Sequence, residues 1–215
     1  MKLSDSIKKG LVLMKRYEVR NCLLCNGSLG EQVTWKTLLT NEYPRTICVE
    51  CEDKFESIEN QPNQPLFSLY KYNEQMKDFL HRYKFMHDVM LAKVFRQPIH
   101  QFLSKKKEII VPIPMHPQKL KERTFPHVDT LLKEANIPYK HFLEKITTDS
   151  QSSKSRQQRL NASQIFALKE NENPLNKEII LVDDITTTGT TLQHAKRILL
   201  EAGAKSVTAF TLIKG

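Results

Sequence analysis

One segment limits the possible folds of this chain more than any other: Glu178–Leu192, with the sequence EIILVDDITTTGTTL. Its aliphatic run, Ile179–Val182, has no polar interruption, which is typical of a strand buried on both faces of a parallel sheet. Two aspartates and a threonine-rich turn follow directly. This order predicts a strand, a loop and the start of a helix.

The residues after the turn complete a strand–helix–strand unit. We predict a helix from Thr191 to Ala202, because its apolar residues recur at spacings of three and four. Gly203 is placed to cap this helix, and Ser206–Ile213 is predicted to be the next strand. Strand, helix and strand in this order imply a parallel sheet with a right-handed crossover.

The acids and the turn are predicted to bind a ribose phosphate. Asp183 and Asp184 stand at the carboxyl end of the strand, where open α/β sheets bind ligands, and each can accept hydrogen bonds from vicinal hydroxyls. The following turn offers hydroxyls, a glycine and a helix N-terminus to a phosphate. Its residues are Thr186, Thr187, Thr188, Gly189, Thr190 and Thr191. The alternative is that the acids only cap the helix.

All 4 cysteines of the chain lie in two Cys-x2-Cys pairs, Cys22 with Cys25 and Cys48 with Cys51, separated by 22 residues. This spacing is typical of a four-thiolate zinc site. Four cysteines fill a zinc tetrahedron and leave no position for a catalytic water, so the predicted role is structural or partner-binding. A redox-active pair of dithiols is the alternative.

The segment Glu59–Pro65, ENQPNQP, interrupts every periodic pattern and is interpreted as a linker. We therefore predict two domains: residues 1–60, an N-terminal zinc-binding module, and residues 61–215, the larger domain. The apolar run Leu11–Met14 is too short for a signal peptide or a membrane span, which leads us to expect no transmembrane segment and a cytoplasmic protein.

The remaining elements follow from periodicity. Tyr70–Phe102 is predicted to form one long amphipathic helix or two in succession, and Ile109–Ile113 a short strand. A helix carrying Val128, Leu131, Leu132 and Ala135 should follow, and Tyr139–Ile146 can then form another strand. Thr147–Gln164 has few apolar residues and is predicted to be a long exposed loop.

The segment IILVDDITTTGTT resembles the phosphoribosyl diphosphate signature of type I phosphoribosyltransferases. The resemblance implies that Asp183 and Asp184 bind the ribose hydroxyls and that Thr186–Thr191 binds the 5-phosphate. It also implies a magnesium ion, held mainly by the ligand, that bridges to the diphosphate. Displacement of diphosphate by a nitrogen nucleophile needs positioning and charge stabilisation more than a nucleophilic side chain.

The whole chain resembles the ComF family, in which a four-cysteine module precedes a phosphoribosyltransferase-like domain. The likeness includes Leu69–Asp88, the run IVPIPMHPQKLKERTF and Gln151–Phe166. At Arg123-Thr124-Phe125-Pro126 this chain departs from the family's usual Arg-Gly-Phe-Asn. The fold class expected is α/β, a Rossmann-like type I phosphoribosyltransferase fold with a parallel sheet, preceded by the zinc module.

ComF proteins are associated with natural competence, so the resemblance implies a role in the uptake of single-stranded DNA. Partners implied are the DNA and a competence ATPase or helicase, at the inner membrane face. The net charge of +9 is compatible with a basic path for DNA. Its candidate residues are Lys105–Lys107, Lys119, Lys121, Arg123, Lys154, Arg156 and Arg159. These cations can equally bind diphosphate or water.

Two further functions stay open at this point. The chain could be a metabolic phosphoribosyltransferase that joins ribose 5-phosphate to a base or amine with release of diphosphate. It could also be a zinc-dependent scaffold whose ribose-phosphate site senses a metabolite. The sequence predicts ligand binding and leaves turnover open.

Overall fold

The computed structural model describes residues 19–30, 43–61, 64–146 and 165–215. The chain divides into two compact units, Met1–Lys54 and Phe55–Gly215. The predicted linker Glu59–Pro65 begins within the second unit, and the predicted loop Thr147–Gln164 lies outside the described residues. No helix in the described ranges is both long enough and apolar enough to cross a membrane.

The described part of the first unit is built around the two cysteine pairs. The backbone turns tightly after Cys22, whose carbonyl accepts a hydrogen bond from the Asn26 N–H at 2.8 Å. A short helix, α1 (Val49–Glu52), contains Cys51, and Cys48 is the residue just before it. The Leu23 N–H donates to the Thr46 carbonyl at 2.9 Å, which joins the two cysteine-bearing segments.

The second unit alternates strands with helices, as the sequence predicts. Its strands are β1 (Leu66–Lys71), β2 (Ile109–Pro112), β3 (Leu143–Lys145), β4 (Phe166–Leu168), β5 (Glu178–Thr186) and β6 (Ser206–Lys214). Its helices are α2 (Glu74–Phe85), a 3-10 helix (Val89–Lys93), α3 (Arg96–Leu103), α4 (Pro117–Arg123), α5 (His127–Glu134) and α6 (Thr190–Glu201).

The main sheet has the strand order β1-β6-β5-β2, and every pair in it is parallel. The predicted parallel α/β fold is therefore confirmed. A separate antiparallel pair is formed by β3 and β4. The free edge of β1 is covered by the chain before it, since the Ile58 N–H donates to the Leu69 carbonyl at 2.9 Å and the Lys71 N–H donates to the Glu56 carbonyl at 2.8 Å.

Alternate residues of β5 face opposite sides of the sheet. Ile179 and Leu181 belong to the core cluster that contains the apolar face of α6. Ile180 and Val182 are also buried, but they lie on the other side of the sheet. Both faces of β5 are thus covered, which explains its uninterrupted aliphatic run.

The prediction for Tyr70–Phe102 was wrong at its start and right in its middle. Tyr70 belongs to β1, which pairs with β6, and the first helix begins only at Glu74. The side chain of Asn73 starts that helix by accepting a hydrogen bond from the Met76 N–H at 3.0 Å. Two α-helices then follow in succession, with the 3-10 helix between them, which agrees with the second of the two predicted alternatives.

Two other segments differ from the sequence-based expectation. Of Tyr139–Ile146 only Leu143–Lys145 is a strand, and it pairs with β4 outside the parallel sheet. The basic run containing Lys119 and Lys121 forms the helix α4, which the sequence pattern did not predict. Pro117 suits the first turn of this helix because its missing N–H has no helical partner there in any case.

Candidate functional site

The two aspartates lie in the second half of β5, on opposite faces of the sheet. The strand extends to Thr186, further than predicted, and Asp183 is still in register with Thr211 of β6. Alternation places Asp183 on the face that carries α6 and Asp184 on the face that carries α2. Asp184 is buried and Asp183 is half-buried.

A lysine from α2 reaches Asp184. The Lys84 Nζ atom lies 2.7 Å from the Asp184 Oδ1 atom, and the two side chains are only 19% and 9% exposed. The Asp184 N–H donates to the Asp183 Oδ1 atom at 2.9 Å. The pair of acids is therefore held by one cation and one backbone donor, with carboxylate oxygens left over for a ligand.

Asp183 is poised to change its protonation near neutral pH. Burial, together with the negative charge of Asp184, raises the pKa of Asp183 to about 7, and the positive charge of Lys84 opposes that rise. Desolvation disfavours a carboxylate, and a neighbouring like charge disfavours it further. A ligand that donates hydroxyl hydrogens to Asp183 would stabilise its charged form.

The turn after β5 has the shape expected of a phosphate loop. Gly189, at φ 74°, adopts the left-handed conformation and is the N-cap of α6. The Thr188 and Thr190 hydroxyl oxygens lie 2.9 Å apart, and both side chains are exposed. The Thr190 N–H donates to the Thr188 Oγ1 atom at 3.4 Å, and the N–H groups that follow it in the first turn of α6 have no partner within the helix and can face an anion.

The predicted loop residues divide into three groups. Thr186 is buried at the end of β5, where its carbonyl accepts a hydrogen bond from the Gly215 N–H at 2.8 Å. The turn itself comprises Thr187, Thr188 and Gly189, and Thr190 and Thr191 form the first residues of α6. The structure therefore assigns Thr186 to the sheet and leaves the exposed hydroxyls to the turn and the helix start.

The predicted basic residues do not form one continuous cluster. Lys105–Lys107 come before β2 and Lys119 and Lys121 come after it, so the two groups lie at opposite ends of a strand about 13 Å long. Lys121 is exposed and Lys119 is half-buried. Lys154, Arg156 and Arg159 lie outside the described residues.

Arg123, predicted to contact diphosphate or DNA, is engaged within the protein. Its Nη1 atom donates to the Lys84 carbonyl at 2.6 Å, and its guanidinium lies 3.7 Å from the ring centroid of Phe85. The following residue, Thr124, has φ 65° and occupies the position where the ComF family commonly has glycine. Thr124 thus adopts the left-handed backbone that favours glycine.

Sequence reasoning did not select Lys84 or His127, which both lie close to the aspartates. His127 is 3% exposed, and its Nε2 atom has no hydrogen-bond partner among the described residues. Burial lowers the pKa of His127 to about 4, so this histidine is neutral at pH 7. The only signal for Lys84 was its place in the segment that resembles the ComF family.

The four cysteines come together as predicted. The ligating atoms of Cys22, Cys25, Cys48 and Cys51 all lie within 4.8 Å of one another, so this group is positioned to bind a metal ion. The Cys25 and Cys48 sulfurs are 3.6 Å apart. A tetrahedral zinc with bonds of about 2.3 Å needs sulfurs about 3.8 Å apart, so the thiols fit this ion.

Cys22 is already suited to act as a thiolate. Burial alone would raise its pKa, but hydrogen bonds from the backbone of Cys25, Cys48 and Leu24 lower the pKa of Cys22 to about 6. The thiolate is the form of cysteine that binds a metal.

The family model described as Phosphoribosyl transferase domain matches residues 120–215, which contain β5, the turn and α6. Competence protein ComFC of Streptococcus pneumoniae is 35% identical over 219 residues, covering 90% of this chain and 99% of that protein. Competence protein ComFC of Bacillus subtilis is 31% identical over 227 residues, covering 90% of this chain and 94% of that protein.

Among solved structures, a hypoxanthine phosphoribosyltransferase from Staphylococcus aureus is similar to 57% of this chain. The match covers 62% of that protein, with 15% identity and a TM-score of 0.37. A similarity this distant supports no conclusion about function.

Proposed function

Because this chain belongs to the ComFC family of competence proteins, we propose that it works in the uptake of single-stranded DNA during natural transformation. In this proposal the second unit binds phosphoribosyl diphosphate with magnesium. The observation that carries the ligand assignment is the arrangement of Asp183 and Asp184 beside the Thr187–Gly189 turn at the start of α6.

Each part of the ligand has a matching group in this arrangement. The first N–H groups of α6 and the exposed threonine hydroxyls suit the 5-phosphate. The carboxylate oxygens of Asp183 and Asp184 suit the ribose hydroxyls. A magnesium ion, held mainly by the ligand, would offset the charge of the diphosphate where it faces the two acids.

The DNA-binding role is supported by charge and not by a defined groove. Exposed lysines such as Lys121 lie at the same end of the sheet as the ligand site, because α4 follows the carboxyl end of β2. The protein would work at the inner membrane face with a competence ATPase or helicase. Phosphate contacts of this kind make the affinity for DNA fall as the salt concentration rises.

A chromosomal substitution tests this proposal. Replacing Asp183 and Asp184 together with asparagine in a competent host should lower the transformation frequency severely, with a Lys77→Met strain as the matched control on the exposed face of α2. Unchanged transformation after deletion of the whole gene would overturn the competence role. Binding of single-stranded DNA that does not depend on salt would count against direct DNA contact.

The four cysteines are proposed to hold a structural zinc ion. They supply four sulfur ligands to the ion and leave no open coordination position, so the ion would stabilise the first unit and take no part in a reaction. Freshly purified protein should contain one zinc per chain by elemental analysis, and Cys25→Ser should lower that content. A wild-type content well below one zinc would remove this assignment.

A metabolic phosphoribosyltransferase is the second candidate, favoured by the match of residues 120–215 to the phosphoribosyl transferase domain. Under this proposal the wild type should release diphosphate from phosphoribosyl diphosphate when offered the right base or amine. The double replacement of Asp183 and Asp184 with asparagine should abolish the release and leave the fold intact. Absence of release over a broad panel of acceptors would favour a binding domain without turnover.

A further inference from the structure

Lys84 is the only described residue whose side chain forms an ion pair with either of the two acids. It lies next to the last residue of α2, and it reaches Asp184 across 100 positions of sequence. On the same helix, Lys77 pairs with Glu74, but those side chains are 59% and 90% exposed. An exposed pair of that kind contributes little, whereas the shielded Lys84–Asp184 pair is partly removed from water.

The end of α2 that presents Lys84 is fixed by Arg123. The Arg123 Nη1 atom donates to the Lys84 carbonyl at 2.6 Å, and its guanidinium stacks on the ring of Phe85. The Arg123 carbonyl in turn lies 3.1 Å from the His87 Nδ1 atom. Contacts on both sides of Lys84 therefore hold the backbone, so the ammonium group is directed at the site by the fold.

The Lys84 ammonium group has N–H donors that are not used within the protein's described residues. A lysine has three N–H donors. Among the described residues, Lys84 Nζ makes one hydrogen bond, to Asp184 Oδ1. The second oxygen of Asp184 can accept a hydrogen bond from a ribose hydroxyl. A ribose bound in this way would bring its anomeric carbon close to the two unused donors of Lys84.

We propose that Lys84 binds the anionic group carried by the anomeric carbon of the ligand and so determines specificity at this site. The site would then prefer a ribose 5-phosphate that carries a diphosphate at that carbon over ribose 5-phosphate itself. The inference rests on the proposed binding of a ribose phosphate by Asp183, Asp184 and the Thr187–Gly189 turn. It adds a residue that distinguishes between two ligands of that class.

The test compares two ligands on the purified full-length protein by calorimetric titration. Phosphoribosyl diphosphate and ribose 5-phosphate, each with excess magnesium, are titrated into the wild type and into Lys84→Met, which keeps the aliphatic stem and removes the charge. We expect the wild type to prefer the diphosphate ligand. In Lys84→Met the affinity for that ligand should fall about tenfold or more, since a charged hydrogen bond is lost, with less than about a threefold change for ribose 5-phosphate.

Two matched variants separate charge from structure. Lys77→Met removes a lysine from the same helix and should leave both affinities unchanged. Lys84→Arg keeps the charge and the donors, so it should retain part of the preference for the diphosphate ligand. Lys84→Met leaves the buried Asp184 carboxylate without its cation, which could unfold the variant. In that case Lys84→Met/Asp184→Asn is compared with Asp184→Asn alone, and the quantity compared is the ratio of the affinities for the two ligands.

The outcomes decide between distinct roles. An equal loss for both ligands in Lys84→Met would show that Lys84 only orients Asp184, and it would overturn the inference. Unchanged affinities would overturn it as well. If the wild type bound both ligands equally, only the proposed role of Lys84 would be refuted. If the wild type bound neither ligand, the proposed ligand site would be refuted.

Discussion

Replacing Asp183 with asparagine should stabilise the folded protein, and the gain should grow as the pH rises from 5 to 8. The substitution keeps the size and shape of the side chain and removes its charge. Asp183 has a pKa raised to about 7, because burial and the charge of Asp184 both disfavour its carboxylate. The protein thus keeps a destabilising charge at the position proposed to bind the ligand.

The size of the effect follows from the two pKa values. In the unfolded chain an aspartate has a pKa near 3.8, so the folded protein binds more protons than the unfolded chain between pH 4 and pH 7. Stability contributed by Asp183 therefore falls as the pH rises through that window and is constant above it. The pKa difference of about 3 between the folded and the unfolded chain corresponds to at most about 4 kcal/mol, and more than half of it is lost between pH 5 and pH 8.

The wild-type pH profile alone would not reveal this effect, because His127 acts in the opposite direction. Burial lowers the pKa of His127 to about 4, below its unfolded value of 6.5. Its contribution to stability is present above pH 6.5 and is lost as the pH falls towards 4. The two groups partly cancel over the shared window, so the difference between wild type and variant has to be measured.

Urea unfolding followed by circular dichroism at pH 5 and pH 8 provides that difference. Asp78→Asn, on the exposed surface of α2, is the control and should change the free energy of unfolding by less than about 0.5 kcal/mol at either pH. A gain for Asp183→Asn that is the same at both pH values, or a loss at pH 8, would show that the charge of Asp183 does not destabilise the folded protein.

Three further substitutions test the fold by thermal or urea unfolding. Thr124→Gly should stabilise the protein by about 1 kcal/mol, since Thr124 has φ 65°, and a loss would show that the threonine side chain contributes more than the strain. Gly203→Ala should cost about 1 kcal/mol, because Gly203 has φ 89°, whereas the exposed Leu175 side chain beside the added Cβ can move; an unchanged midpoint would contradict this. The buried Ser68 and Thr211 hydroxyls lie 2.7 Å apart. Thr211→Val should cost about 1 to 3 kcal/mol because it leaves the Ser68 hydroxyl without its partner, whereas Ser68→Ala/Thr211→Val should be closer to neutral.

The sequence predicted the parts of the molecule whose pattern is local. A run of four aliphatic residues, two acids, a hydroxyl-rich turn and an amphipathic helix lie within one short segment, so β5, its loop and α6 could be read directly. The cysteine cluster was also predictable, because Cys-x2-Cys spacing brings two thiols of each pair to one side of a turn.

The missed features depend on contacts between distant segments. The strand β1 is a short edge strand, and its partner β6 is the last strand in the sequence. The local sequence pattern of β1 did not separate it from the helix that follows. The pairing of Lys84 with Asp184 requires α2 to cross the sheet at the end of β5, which no local pattern specifies. The signal that was available at the helix start was Asn73, whose side chain caps the first turn of α2.

Titration with phosphoribosyl diphosphate shows whether Asp183, Asp184 and the Thr187–Gly189 turn form a ligand site. Calorimetric titration with magnesium should show saturable binding of one ligand per chain to the wild type, and binding should be lost in the variant with both Asp183 and Asp184 replaced by asparagine. Repeating the titration with single-stranded DNA present would show whether the two ligands are coupled. Equal binding by the wild type and the double variant, or no binding by a folded wild type, would contradict the assignment of the site.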